Sequence, residues 1–250
     1  MAFAVLTRDP VDAQAYASVL LPFGLEVVAM PVTMTVPADD PDALARALAT
    51  GGFAAIVVAS PRAAHELVRA ARTTGQALAL SEVWAVGPAT KRALEIAGIS
   101  AQHPPDARDG ADLARRLAAT IDLRGTRVLV PRAEEGRVEV LEVLRLAGAT
   151  VVDVIAYRTV PVAAEAPGVA RGAQLLHGGQ AAVCAVFAPS QVSALAAIVG
   201  GLGTIPTRFC AIGETTATAL LAAGAKAVSV APAATPEGMA QAVRSVYPPG

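Results

Sequence analysis

The chain has 250 residues, a formal net charge of −1, 54% hydrophobic residues and a mean hydropathy of +0.51. Near-neutral charge with 4% aromatics leaves neither an electrostatic footprint nor a stacking platform for nucleic acid. Apolar runs such as 53–59 and 181–188 stop well short of the roughly 18 residues a spanning helix needs, so no membrane segment is expected.

The first apolar stretch follows no basic region and leads to no cleavage-like pattern, so a cytoplasmic protein without a signal peptide is expected. Cys184 and Cys210 fall in predicted strands and imply two buried thiols rather than a disulfide framework. His65, His103 and His177 lack metal-ligand spacing, and no Gly-x-Gly-x-x-Gly is present, so neither metal nor cofactor is expected.

In chain order, 3–6 is a short apolar strand that meets Thr7-Arg8-Asp9-Pro10, where Asp9 suits a helix cap and Pro10 its first turn. Tyr16, Val19, Leu20 and Phe23 recur at helical spacing, Gly24 stops the helix, and a strand over 25–30 follows. The next unit is a strand over 53–58, the turn Ala59-Ser60-Pro61-Arg62 and a helix to about Arg72. A third runs from a strand over 83–86 through Gly87-Pro88-Ala89-Thr90 into a helix ending at Gly98.

Each unit then recurs. Arg127 to Val130, the turn from Pro131 to Arg137 and a helix to Ala147 repeat the first, with Gly148 standing 124 positions after Gly24. A strand over 182–187 with Ala188-Pro189-Ser190-Gln191 repeats the second. A strand over 209–212 with Gly213-Glu214-Thr215-Thr216 and a helix ending at Gly224 repeats the third. Asp109-Gly110 and Glu237-Gly238 each open a last helix. Repeated strand–turn–helix units predict two similar α/β domains, each a doubly wound, flavodoxin-like parallel sheet flanked by helices. Right-handed crossovers put every turn at the carboxyl edge of its sheet. Two β-branched stretches, about 27–36 and 153–161, read as linker strands, and Thr33 in the first is matched by Tyr157 in the second.

Turns at helix N-termini offer backbone N–H groups and hydroxyls to anions. Taken singly, Ser60, Thr90 and Thr215 read as helix caps, and Glu134-Glu135 as dipole partners of a first helical turn rather than an acid–base pair. As a set, the turns carry Arg8, Arg62, Arg132 and Arg137, which suits a ligand with many carboxylates.

Together, Thr7-Arg8-Asp9-Pro10, Ala59-Ser60-Pro61-Arg62-Ala63, Ala85-Val86-Gly87-Pro88-Ala89-Thr90, Pro131 to Arg137, Ala156-Tyr157-Arg158-Thr159 and Ile212-Gly213-Glu214-Thr215-Thr216-Ala217 resemble the uroporphyrinogen-III synthase family. The resemblance covers essentially the whole chain. It implies a discontinuous first domain (1–34 plus 161–250) and a second over 35–160; pattern alone would divide the chain near 124. It also implies an enzyme that cyclises hydroxymethylbilane, a linear tetrapyrrole with eight carboxylates, by losing the hydroxyl and inverting ring D through a spiro intermediate in an interdomain cleft. Separately, the absence of an exposed apolar helix leads us to expect a monomer, and the two linkers a cleft that widens without ligand. Tyr157 matches the family's tyrosine and would donate a proton to the departing hydroxyl; packing at the hinge is the alternative. Arg8, Ser60, Arg62, Gly87, Thr90, Arg132, Arg137, Ser190, Gly213, Thr215 and Thr216 would hold the substrate.

Departures stand beside the resemblance. The family commonly shows Thr-Ser or Thr-Ser-Pro in the second unit, where this chain has Ala59-Ser60 and Ala188-Pro189, and Glu214 puts a negative charge at an expected anion site. They keep open a non-catalytic tetrapyrrole- or polyanion-binding regulatory module, and more remotely a two-lobed receptor for a small anion.

Overall fold

The computed structural model describes residues 2–75 and 82–247. The chain begins β1 (Ala2–Leu6), α1 (Pro10–Leu20), β2 (Leu25–Ala29), β3 (Thr33–Pro37), α2 (Ala43–Thr50), β4 (Phe53–Val58), α3 (Pro61–Thr74). It continues with β5 (Glu82–Ala85), α4 (Gly87–Ile96), α5 (Gly110–Thr120), β6 (Arg127–Ala133), α6 (Glu139–Leu146) and β7 (Thr150–Pro161). The last part is α7 (Pro167–His177), β8 (Ala181–Val186), α8 (Pro189–Val199), β9 (Arg208–Ala211), α9 (Glu214–Ala222), β10 (Val228–Val230) and α10 (Pro236–Val246).

Two compact units result, one of residues 1–34 with 160–250, the other of residues 35–159. The first holds the sheet β10-β9-β8-β1-β2, with all its defined pairings parallel. A sheet buried on both faces needs apolar residues at successive positions, and β8 supplies them. Its Val183 and Ala185 pack toward α1 and α10, while Cys184 and Val186 pack toward α7, α8 and α9. In the second unit the order is β3-β7-β6-β4-β5. Ile56 and Val58 of β4 face α2, α3 and α4; Ala55 and Val57 face α5 and α6. Both units are α/β sheets wound on both faces.

Local chemistry sets the helix boundaries. Asp9, Ser60, Asp109 and Thr235 sit in extended backbone, and each side chain accepts an N–H from the first turn of its helix. Pro10, Pro61 and Pro236 follow at the first helical positions, where the missing N–H costs nothing. The α10 cap is thus Thr235, upstream of the expected Glu237.

Four further expectations are corrected. The strand repeating β4 is Ala181–Val186, one residue earlier than the 182–187 expected, because the helix boundary falls before Pro189; Ala188, not Pro189, therefore matches Ser60. β6 runs on through Pro131 and Arg132 to Ala133, paired with β7. Pro131 is tolerated because the pairing of β6 with β4 has ended at Leu129, so no ladder bond on that side is lost. The first linker is broken at 30–32 by Pro31, giving β2 in one sheet and β3 in the other. Finally, Glu134 and Glu135 lie in the loop after β6, and the acids of the first α6 turn are Glu139 and Glu142.

Candidate active site

In a parallel sheet every strand ends on the same edge, and the turns after β4, β5 and β6 gather there in the second unit. Ser60 follows β4 and caps α3: its Oγ accepts the Ala63 N–H at 3.1 Å. The same Oγ lies 3.0 Å from the Tyr157 hydroxyl. Tyr157 is 9% exposed, packed with the apolar side chains over α2, α3 and α4. Its backbone is pinned as well, since it pairs with Ala133 across β6 and its carbonyl accepts the Glu134 N–H at 3.0 Å. A phenol, a serine hydroxyl and a helix N-terminus are thus in series, an arrangement able to move a proton and to stabilise the oxygen it leaves.

Arg132 departs from the expectation of a free anion partner. Its Nε and one terminal nitrogen clamp Asp153 at 2.7 and 2.9 Å, and the other terminal nitrogen donates to the Ala133 and Glu134 carbonyls, both at 2.9 Å. That fork ties the turn after β6 to β7, next to Tyr157. Arg62 and Arg137 are exposed, with only loose ion contacts to Glu66 at 3.4 Å and Asp109 at 3.8 Å. Exposed pairs of this kind hold their cations weakly, at about 0–1 kcal/mol. Gly87 opens α4 with φ near +76°, a conformation other residues resist. Thr90, three residues on, is buried.

In the first unit the corresponding edge carries the turns after β1, β8 and β9. The Arg8 guanidinium lies 4.6 Å over the Phe187 ring and 5.8 Å from that of Tyr16, with Asp12 the nearest acid at 3.7 Å. Burial pushes the Tyr16 phenol above its usual range, opposed by the charge of Arg8. Ser190 and Thr215 are exposed in the first turns of α8 and α9, Gly213 forms the α9 boundary in extended backbone, and Thr216 is buried. Ala188 offers α8 no side-chain cap. Instead Gln191 accepts from the Thr7 hydroxyl at 2.7 Å and from the Phe187 N–H at 3.0 Å. Sequence reasoning passed over this bridge and the Asp153 clamp. The signal for the first was a Gln three positions after a boundary residue without a hydroxyl, the spacing of a capping box, though it reaches the Phe187 N–H one residue before the boundary.

Two pockets adjoin these turns, one through Pro10 after β1 and the other through Glu134 after β6. One of about 480 Å³ runs beside β2, where Glu26 meets Arg171 at 3.7 Å; another of about 320 Å³ is lined by Asp39, Asp40, Glu134 and Asp153, an acidic wall poorly suited to carboxylates. Among the described residues no cluster of His, Cys, Asp or Glu is placed to hold a metal ion, and no helix is long and apolar enough to cross a membrane.

The family model described as uroporphyrinogen-III synthase HemD matches residues 14–241. Among solved structures, a mutant uroporphyrinogen III synthase from Thermus thermophilus aligns with a TM-score of 0.65 at 20% identity, over 98% of both chains. A uroporphyrinogen-III synthetase from Helicobacter pylori aligns at 0.63 and 14% identity, over 98% of this chain and 99% of that one. At these identities the structures attest the fold. No curated protein matches the chain.

Proposed function

This chain belongs to the uroporphyrinogen-III synthase family, and we propose that Tyr157 is the acid with which it carries out the family's reaction. That reaction cyclises hydroxymethylbilane to uroporphyrinogen III, inverting ring D and losing water. The observation that carries the assignment is the hydrogen bond between Tyr157 and Ser60 at the start of α3.

The bilane's hydroxymethyl C–O bond breaks as its oxygen takes the Tyr157 proton and leaves as water. The bilane cation is attacked by the already substituted α-carbon of ring D, giving a spiro intermediate. The bond from that carbon to its original bridge then breaks, the freed bridge carbon bonds to the other α-carbon of ring D, and the proton lost from that carbon restores the phenol. While Tyr157 lacks its proton, Ser60 donates to the phenolate and accepts from the Ala63 N–H, at the positive end of the α3 dipole. An acid placed this way contributes about 10²–10⁴-fold. Because the bilane also closes unaided to the type I isomer, holding it in the inverting geometry is the larger task.

Holding falls to donors at the two carboxyl edges. Arg8, Arg62 and Arg137 have donor groups free for carboxylates, each such pairing contributing about 1.5–3 kcal/mol when desolvated. The Ser190 and Thr215 hydroxyls and the backbone at Gly87 and Gly213 add neutral donors. Arg132 we assign to holding the Ala133–Glu134 turn, and the buried Thr90 and Thr216 to packing in their helical turns. The same proposal makes the enzyme a cytoplasmic monomer, in keeping with its free, buried thiols Cys184 and Cys210.

The test is an isomer assay: freshly made hydroxymethylbilane is given to the protein, the products are oxidised, and type I and type III uroporphyrins are separated. Predominantly type III product is expected. Type I alone, at the spontaneous rate and with the protein folded, would overturn the reading.

A further inference from the structure

The first unit lacks the hydroxyl that caps α3 in the second. Ala188 occupies the boundary position that Ser60 holds in the other copy, and Gln191 reaches back past it. Its Oε1 accepts from both the Thr7 hydroxyl and the Phe187 N–H. A backbone N–H only donates, so the atom facing Phe187 must be the oxygen, and the orientation of the carboxamide is forced. The buried Thr7 hydroxyl has two acceptors, Gln191 Oε1 at 2.7 Å and the Ala185 carbonyl at 3.3 Å, and the shorter bond goes to Gln191. With Oε1 used twice, Nε2 has no partner among the described residues. The result is a fixed carboxamide presenting a free N–H₂ group, next to the ring that carries the Arg8 guanidinium.

The bridge joins the ends of β1 and β8. β1 lies between β2 and β8 in the sheet, so its end is where the strand order reverses, the usual ligand crevice of an open α/β sheet. Resting on the synthase reading, we propose that Gln191 determines substrate specificity, donating from Nε2 to one carboxylate of the linear tetrapyrrole. A carboxylate only accepts. A donor group held at a set angle recognises it, and gains nothing from a ring substituent that has lost its carboxyl group.

The Q191E variant isolates this role, because a carboxylate still accepts from Thr7 and Phe187 but has no N–H to give. Wild type, Q191E and Q191L are compared for type III formation and for thermal midpoint. Q191E is expected to melt with the wild type while its KM rises about ten- to hundredfold and kcat changes far less. The rise shrinks as the pH falls toward the carboxyl range, where the introduced acid is protonated and can donate. Q191L, lacking the acceptor too, is expected to lose thermal stability as well. A wild-type KM in Q191E, with Q191L merely less stable, would reduce Gln191 to a structural bridge and overturn the proposal. Should the wild type make no type III product, the synthase reading fails first. Equilibrium binding of uroporphyrin III, an octacarboxylate, to wild type and Q191E then decides: weaker binding to Q191E upholds the role of Gln191, and equal affinity ends it.

Discussion

Ser60 acts through one oxygen on two partners, so removing it should be felt in stability and in rate, and the two effects are separable. Ser60→Ala removes the α3 cap, worth about 1 kcal/mol. It also leaves the Tyr157 hydroxyl without its partner, which adds about 1 kcal/mol more. A loss near 2 kcal/mol raises the unfolded fraction roughly thirtyfold and lowers the thermal midpoint by several degrees. Tyr157→Phe keeps the cap, because Ser60 still accepts from Ala63, so its cost in stability should be only about 0.5–1.5 kcal/mol. In rate the order reverses. Loss of the acid slows type III formation by about 10²–10⁴-fold, whereas loss of the serine's support slows it by about 10–100-fold. The decisive measurement is the cycle of both single variants and the double variant, each assayed for type III formation under saturating hydroxymethylbilane. If the serine works through the phenol, the double variant is no slower than Tyr157→Phe alone. Rate losses that simply multiply, or a Tyr157→Phe enzyme within about twofold of wild type, would refute the proton path.

The two thiols give a pH prediction. Burial pushes Cys210 up to about 12 and Cys184 higher still, the latter helped by the neighbouring Cys210. Both folded values are raised, so the stability they contribute is fully present below the unfolded thiol value near ~8.5 and is lost as pH rises toward the folded ones. With two protons released only on unfolding, stability should fall by about 2.7 kcal/mol per pH unit above about pH 9. Urea midpoints taken from pH 8 to 10 test this, and a flat profile, or one no flatter in the C184A/C210A variant, would count against it. A further prediction concerns Arg132, whose four bonds hold Asp153 and the turn after β6 together. Arg132→Lys should cost about 2–3 kcal/mol, because one ammonium cannot match a forked clamp on a half-buried carboxylate. An unchanged denaturation midpoint would show the clamp to be idle.

Much of the fold was legible because its signals are local. Asp9-Pro10 and Ser60-Pro61 mark their helix starts through a single side chain and a fixed φ, and β4 could be bounded to the residue for the same reason. α2 and α7 escaped notice: neither is preceded by a side chain that caps it, so only their apolar stripes announce them. The extension of β6 through Pro131 was hidden for another reason. Proline ordinarily excludes a strand interior, and only the early end of the β4 ladder makes room for it. In the site, Tyr157 and Ser60 stood out as single residues at turn and strand positions, but their pairing spans 97 positions and no spacing rule predicts it. Arg132 was legible as a cation in a turn; its saturation by Asp153 depends on the β6–β7 register, which is a tertiary fact.

The duplication shows why the two copies diverged where they did. β1-α1-β2 and β6-α6-β7 are the same piece, opening the chain in one unit and closing the other, while α7-β8-α8-β9-α9 matches α2-β4-α3-β5-α4 face for face. Each unit therefore has the same boundary to satisfy at the end of its β4-like strand, and each does so differently. In the second unit a serine does it, and that serine's oxygen also reaches a phenol. In the first unit the position matching Tyr157 is Thr33, which lies in β3, so a capping hydroxyl there would have had no phenol to support. Freed of that constraint, the boundary is bridged by a carboxamide with a donor to spare, beside an arginine stacked on a phenylalanine. On the proposed mechanism the second unit carries the proton chemistry, while the first offers Gln191 and Arg8 as donors alongside the Glu214 carboxylate. That asymmetry suits a reaction in which a single hydroxyl leaves a molecule bearing eight carboxylates.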